Sequence, residues 1–143
     1  MAIVAAIDQD EKAQQVVSEA WKLANQFDET LHVLFVYDNN RYSSLTTENI
    51  TIEGRHRPDD DEVQTVAEDI AAEATAGVTD EYEAVGRRGR PAEEIVSYTD
   101  EVDASYIAVG GRRRSPAGKA LFRSVTQSVL LDTDRPVLVV TAE

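Results

Sequence analysis

The sequence predicts a Rossmann-like, doubly wound α/β fold, in which five parallel strands form one sheet covered by four helices. Short apolar runs of strand length alternate along the chain with segments whose apolar residues recur every three or four positions, the spacing of an amphipathic helix. Most connections between these segments are short, as expected where each helix returns the chain to the next parallel strand. A chain of 143 residues fits one such domain, spanning residues 1–143.

The first half of the chain contains two strong strand candidates and two helices. Ala2–Ile7 and Leu31–Tyr37 are compact apolar runs, typical of strands buried on both faces of a sheet. The apolar stripes of the helices are Ala13, Val16, Val17, Ala20, Ala24 and Phe27, then Val63, Val66, Ala67, Ile70, Ala71 and Ala74. The acids Asp59–Glu62 suit the start of the second helix, and Gly77 suits its end. Asp38–Asp61 shows no sustained period, so we expect a long connection there.

The second half of the chain shows the same alternation of predicted strands and helices. Tyr82–Val85 is a weaker strand candidate, expected at the sheet edge, and Pro91 suits the first turn of a third helix. Tyr106–Val109 and Pro136–Thr141 are the fourth and fifth strands, and Ser124 begins the last helix. The inner faces are formed by Ala92, Ile95, Val96, Thr99 and Val102 in the third helix, and by Val125, Val129 and Leu130 in the fourth.

The chain is strongly acidic, with 27 Asp and Glu, 14 Lys and Arg, and a formal net charge of −13. Phosphate backbones and anionic lipids require a basic surface, so we expect neither a nucleic-acid nor a membrane partner. The absence of cysteine excludes disulfides and thiolate chemistry. No signal peptide or membrane span is recognisable, which predicts a cytoplasmic protein. Lysine occurs only as Lys12, Lys22 and Lys119, a composition that favours a halophilic source over an ordinary acidic protein.

A cluster of cations follows the fourth predicted strand. Five of the 14 cations lie between Gly110 and Thr126. In a doubly wound sheet a ligand binds beyond the carboxyl ends of the strands where strand order reverses, which here would fall between Asp8 and Gly110. The cluster is therefore interpreted either as an anion site or as ordinary surface arginines paired with carboxylates. The P-loop motif is absent, because Lys119 is followed by alanine instead of serine or threonine.

Three parts of the chain carry a resemblance to a known family. They are Val109–Val140, with its closing strand Pro136–Val140, the residue Asp8 after the first strand, and Gly89–Ile95 at the start of the third helix. Together they resemble the universal stress protein (UspA-like) family from end to end, and the composition suggests a haloarchaeal-type member. The resemblance implies the strand order 3-2-1-4-5.

The family signature is glycine, two residues, glycine, nine residues, then glycine with serine or threonine. Gly110 stands at the first place, Arg113 and Arg123 stand at the two later glycine places, and Ser124–Thr126 is retained. Arginine gives up the backbone freedom of glycine but adds charge-assisted donors. Two interpretations stay open: a module that binds an adenine nucleotide, or a degenerate site in a structural or interaction protein that binds none.

The resemblance implies ATP as ligand, with Mg²⁺ as an optional companion, in a homodimer that acts in the stress response. The nucleotide-binding residues that it implies are Ala6, Ile7, Asp8, Val36, Val109, Gly110, Arg113, Arg123, Ser124, Val125 and Thr126. Members of the family commonly dimerise through the last strand, and an apolar strand at a sheet edge invites such pairing. The expected interface is Val137, Leu138, Val139 and Val140.

Catalysis has little support in the sequence. His32 lies within the second strand and His56 within the long connection, and neither has an evident nucleophile beside it. Asp59–Glu62 lacks the alternation and glycine of a calcium loop. We therefore expect no catalytic residues and no dedicated metal site, and at most slow hydrolysis of bound ATP.

Overall fold

The computed structural model describes residues 1–9, 12–38, 44–46, 51–53, 59–111 and 124–141. The strands in these ranges are β1 (Ala2–Ile7), β2 (Thr30–Tyr37), β3 (Ser44–Thr46), β4 (Thr51–Glu53), β5 (Glu83–Arg88), β6 (Ala104–Gly110) and β7 (Val137–Val140). The helices are α1 (Ala13–Phe27), α2 (Asp60–Thr75), α3 (Pro91–Glu101) and α4 (Ser124–Asp132). No helix in the described part of the chain has both the length and the apolar character that crossing a membrane requires.

The main sheet has five parallel strands in the order β5-β2-β1-β6-β7. Numbered along the chain without β3 and β4, this is 3-2-1-4-5, so the predicted α/β fold and its strand order are confirmed. β1 is central, and its side chains alternate between two layers. Ile3 and Ala5 join the core beneath α1 and α2, whereas Val4 joins the core beneath α3 and α4. Burial on both faces explains why β1 is a continuous apolar run.

The residues of the predicted helical stripes are buried or half-buried, with two exceptions. Phe27, at the end of α1, is 51% exposed and stacks on Tyr106 with 6.0 Å between ring centroids. Leu130 is also exposed, so its assignment to the inner face of α4 was wrong. The buried side of α4 carries Thr126 and Val129, three positions apart, and the next residue is rotated by about 100° away from the sheet.

α2 begins at a complete capping box. The Asp59 side chain accepts a hydrogen bond of 2.8 Å from the Glu62 N–H, and the Glu62 carboxylate accepts one of 3.2 Å from the Asp59 N–H. Each bond satisfies a backbone donor that the first helical turn leaves unpaired. The acidic run at Asp59–Glu62 therefore starts a helix, as the sequence predicted.

The long connection differs from its prediction. Within Asp38–Asp61, where the sequence predicts only a long connection, β3 and β4 pair as an antiparallel two-stranded sheet with Leu45 opposite Ile52. Each strand has three residues, which is too short for an alternating pattern to be recognised. β5 also extends further than expected, to Arg88 instead of Val85.

The two edges of the main sheet are built differently. At the β5 edge, the Gln64 side chain of α2 donates a hydrogen bond of 2.8 Å to the Ala84 carbonyl and accepts one of 2.7 Å from the Gly86 N–H. We call this pair of bonds the Gln64 clasp. It satisfies backbone groups that a further strand would otherwise bond.

At the β7 edge the backbone faces two directions. The carbonyls of Pro136 and Val140 accept hydrogen bonds of 2.9 Å from the β6 side. Because backbone groups alternate in direction along a strand, those of the intervening residues Val137 and Val139 point away from β6.

Candidate functional site

A pocket opens at the carboxyl ends of β1 and β6, where the strand order reverses. It is partly open to solvent, and its cavity measures about 70 Å³. The described residues that line it are Ala6, Ile7, Asp8, Lys12, Ala13, Val16, Leu34, Val36, Pro91, Ile95, Val109, Gly110, Val125 and Thr126. The pocket therefore occupies the position at which doubly wound sheets bind ligands.

One wall of the pocket is apolar. Leu34 and Val36 come from β2, and Ile95 comes from the first turns of α3. The start of α3 is held beside β2 because the Gly89 N–H donates a hydrogen bond of 3.0 Å to the Tyr37 carbonyl. Gly89 has φ +139°, a backbone conformation that glycine adopts readily. A sharp turn after β5 thus brings α3 over the pocket.

The mouth of the pocket carries opposite charges. Asp8 follows β1, and its carboxylate accepts a hydrogen bond of 2.8 Å from the Gln9 N–H. Lys12 precedes α1, and its ammonium donates a hydrogen bond to the Gly111 carbonyl, just beyond β6. The Lys12 side chain thereby crosses from the end of β1 to the end of β6.

Thr126 connects α4 to the same strand end. Its side chain is buried, and its hydroxyl donates a hydrogen bond of 2.7 Å to the Gly110 carbonyl. Because a hydroxyl has a single hydrogen, Thr126 can meet a ligand in this arrangement only as an acceptor. The bond orients the start of α4 towards the end of β6, where a helix N-terminus favours negative charge.

The structure brings most of the predicted site residues together around this pocket. Those that line it are Ala6, Ile7, Asp8, Val36, Val109, Gly110, Val125 and Thr126. Ser124 begins α4, its side chain lies outside the described part of the structure, and Arg113 and Arg123 lie outside the described residues. For all eleven predicted residues, a role in nucleotide binding stays a prediction.

Sequence reasoning missed six lining residues: Lys12, Ala13, Val16, Leu34, Pro91 and Ile95. Leu34 could have been found, because it is two positions before Val36 and therefore on the same face of β2. Lys12 carried a weaker signal, as the first cation after Asp8 in an acidic chain. Pro91 and Ile95 lie within the segment Gly89–Ile95 that carried the family resemblance.

His32 lies outside the pocket and has a structural role. Its Nδ1 is hydrogen bonded to the Tyr98 hydroxyl, and its Nε2 lies 3.2 Å from a Glu83 carboxylate oxygen. A neutral imidazole satisfies both partners by donating from Nε2 to the carboxylate and accepting at Nδ1 from the hydroxyl. Burial lowers the pKa of His32, against the opposing effect of Glu83, and burial raises the pKa of Tyr98. His56 lies outside the described residues.

No group of three or more His, Asp or Glu side chains that could hold a metal ion occurs within the described ranges.

Comparison with known proteins identifies the family. The model of the universal stress protein family matches residues 1–141. The chain is 44% identical over 48 residues to a universal stress protein of Mycolicibacterium smegmatis, a stretch that spans 34% of this chain and 37% of that protein.

Three solved structures are similar over nearly their full length. A universal stress protein from Archaeoglobus fulgidus is 28% identical, with a TM-score of 0.58 and 97% of each chain covered. A universal stress protein solved in complex with cAMP is 18% identical, with a TM-score of 0.65, covering 99% of this chain and 96% of that one. One from Archaeoglobus fulgidus in complex with dAMP is 22% identical, with a TM-score of 0.55, covering 97% and 96%. The last two support the fold, and the family match over residues 1–141 shows that this chain belongs to the universal stress protein family.

Proposed function

We propose that this chain is a module that binds an adenine nucleotide in the pocket at the ends of β1 and β6. The observation that carries the proposal is a pocket with an apolar wall and a charged mouth, placed where strand order reverses. Relatives of the same fold were solved with cAMP and with dAMP, which supports the same ligand class here. ATP, with Mg²⁺ as companion, is the specific ligand that family membership favours.

The chemistry of the lining matches the parts of a nucleotide. An adenine ring is flat and largely apolar, and the wall formed by Leu34, Val36 and Ile95 offers it a surface of the same character. The Asp8 carboxylate is an acceptor suited to ribose hydroxyls. The phosphates would then extend towards Gly110 and the start of α4, where backbone N–H groups favour an anion.

Binding is tested directly on the purified protein. After gentle purification and denaturation, chromatography should detect released AMP, ADP or ATP. Calorimetry of the nucleotide-free protein should show binding of AMP or ATP, with and without Mg²⁺, and weaker binding of GMP. No released adenine nucleotide, together with no heat up to about 1 mM ligand, a limit of about −4 kcal/mol, would favour the alternative of a degenerate site in a non-binding interaction protein.

A matched pair of variants tests the location of the site. Asp8→Asn keeps the side-chain shape but replaces the charged acceptor with a neutral amide oxygen, which accepts weaker hydrogen bonds from the ribose, so affinity for adenosine should fall by about tenfold. Asp28→Asn is the control, because Asp28 has φ 54° at the end of α1 and lies away from the pocket lining. Asparagine is well tolerated in that conformation. Equal affinities in the two variants would place the nucleotide elsewhere.

The proposal includes a homodimer formed through β7 that acts in the stress response. Val137–Val140 are half-buried in the single chain, and the backbone groups of Val137 and Val139 point away from β6. Sedimentation should give a dimer for the wild type. Val139→Pro removes one outward N–H and should give a folded monomer, whereas the control Val139→Thr keeps the N–H and should stay dimeric. A monomeric wild type, or a dimeric Val139→Pro variant, would contradict pairing through β7.

A further inference from the structure

The positively charged side chain of Lys12 lies where it can contact a charged group of a ligand in the pocket. It precedes α1, lines the pocket, and reaches the Gly111 carbonyl with its ammonium. An ideal Cβ built on Gly110 would lie 3.9 Å from both Cβ and Cδ of Lys12, so the side chain passes along the end of β6. Of the described residues that line the pocket, Lys12 carries the positive charge and Asp8 the negative charge.

The arrangement of polar and apolar lining fixes which part of a nucleotide would meet Lys12. The apolar wall on β2 and α3 suits the base, and the charged mouth between β1 and β6 suits the sugar and phosphate. The phosphate of AMP is a monoester and carries a charge of about −1.5 to −2 at neutral pH. Asp8 would repel that charge, and Lys12, at the start of the 15-residue helix α1, would attract it together with the helix N-terminus.

We infer that Lys12 makes this site select a phosphorylated adenosine over adenosine itself, an inference that rests on the proposed function. The ammonium forms a charge-assisted hydrogen bond with the phosphate nearest the ribose and offsets the repulsion from Asp8. Adenosine has a neutral 5′-hydroxyl in place of this phosphate, so it forms no charge-assisted hydrogen bond with Lys12. The bond to the Gly111 carbonyl holds the Lys12 stem across the pocket mouth before the ligand arrives.

The test compares the affinities of AMP and adenosine by calorimetry on the full chain. Lys12→Met keeps the apolar stem and removes the charge. Its affinity for AMP should fall by about 10- to 100-fold, the range of a hydrogen bond to a charged group, while its affinity for adenosine changes by less than about twofold. Lys12→Arg should retain most of the preference for AMP. Lys22→Met is the matched control, since Lys22 lies on α1 outside the pocket and pairs with Glu19.

The outcomes separate this inference from the proposed function. A wild type that binds neither ligand overturns both. If Lys12→Met lowers the affinities for AMP and for adenosine equally, Lys12 only holds α1 against β6. That result overturns the inference and leaves nucleotide binding intact.

Salt dependence gives a readout that needs no variant. Raising the salt from about 0.1 M to about 1 M shortens the screening length from about 10 Å to about 3 Å, so the preference of the wild type for AMP should decrease. A preference that is insensitive to salt overturns the inference even where Lys12→Met does not fold.

Discussion

Replacing Gly86 with alanine tests how closely α2 approaches the edge of the sheet. An ideal Cβ on Gly86 would lie 2.8 Å from the Val63 carbonyl oxygen and 3.0 Å from both Gln64 Cα and Ala67 Cβ. Two of these atoms belong to the α2 backbone, so no side-chain rotation relieves the clash. Because carbon atoms pack at about 3.5–4.0 Å, the helix would have to move outward by about 0.5 Å.

The magnitude follows from three contributions. Overpacking of this kind costs about 1–3 kcal/mol. The outward movement also weakens the two bonds of the Gln64 clasp, each with a net contribution of about 1 kcal/mol. The lower chain entropy of alanine in the unfolded state offsets about 0.4–1 kcal/mol. We expect the free energy of unfolding of Gly86→Ala to fall by about 2–3 kcal/mol, near the middle of the range that these contributions allow.

Urea unfolding followed by circular dichroism at fixed salt and pH measures this loss. Gly110→Ala is the matched control, because its Cβ would lie 3.5 Å from Val16 Cγ2, an ordinary contact. With a denaturant slope of about 2 kcal/mol/M, the midpoint of Gly86→Ala should fall by about 1 M or more and that of Gly110→Ala by less than about 0.3 M. Equal midpoints for the two variants would refute the close approach of α2.

Three further changes test other contacts by the same urea assay. Thr126→Val removes the hydroxyl that donates to the Gly110 carbonyl and should lower the free energy of unfolding by about 1–2 kcal/mol, whereas Thr126→Ser should lie closer to the wild type. Asp59→Ala breaks the capping box of α2 and should cost about 1 kcal/mol, with Asp59→Asn nearly neutral; equal losses would exclude a capping role. Because burial lowers the pKa of His32 from 6.5, the unfolded chain binds more protons just below that pH. The stabilisation of the fold that depends on neutral His32 is therefore complete above pH 6.5 and declines as the pH falls through it. The free energy of unfolding should fall less over this range in His32→Gln than in the wild type, and parallel pH profiles of the two proteins would contradict this.

The main sheet could be predicted because its signals are repeated along each element. β1 and β2 are buried on both faces, so nearly every residue in them is buried, and the stripe of α2 runs from Val63 to Ala74, about three turns. β3 and β4 could not be predicted, because a strand of three residues is too short to show an alternating apolar pattern. The exposure of Leu130 also escaped prediction, because a nine-residue helix does not define which side faces the sheet.

The candidate site was predictable where topology and the family signature agree. Asp8 follows β1 and Gly110 ends the neighbouring strand β6, so the rule for doubly wound sheets locates them from the strand order alone. Lys12 and Ile95 reach the pocket only because α1 and α3 begin beside those strand ends, a tertiary arrangement with no local signature. The halophilic source is a prediction from composition that the fold does not address.

The Gln64 clasp limits how far the sheet can be extended by other chains. On the β5 side, the carbonyl of Ala84 and the N–H of Gly86 already have a partner within the chain. On the β7 side, Val137 and Val139 direct theirs outward. A sheet that accepts a neighbour on one side only stops growing after a single addition. If two copies joined through β7, a clasped β5 would lie at both outer ends, so association would close at two copies and would not continue into a filament.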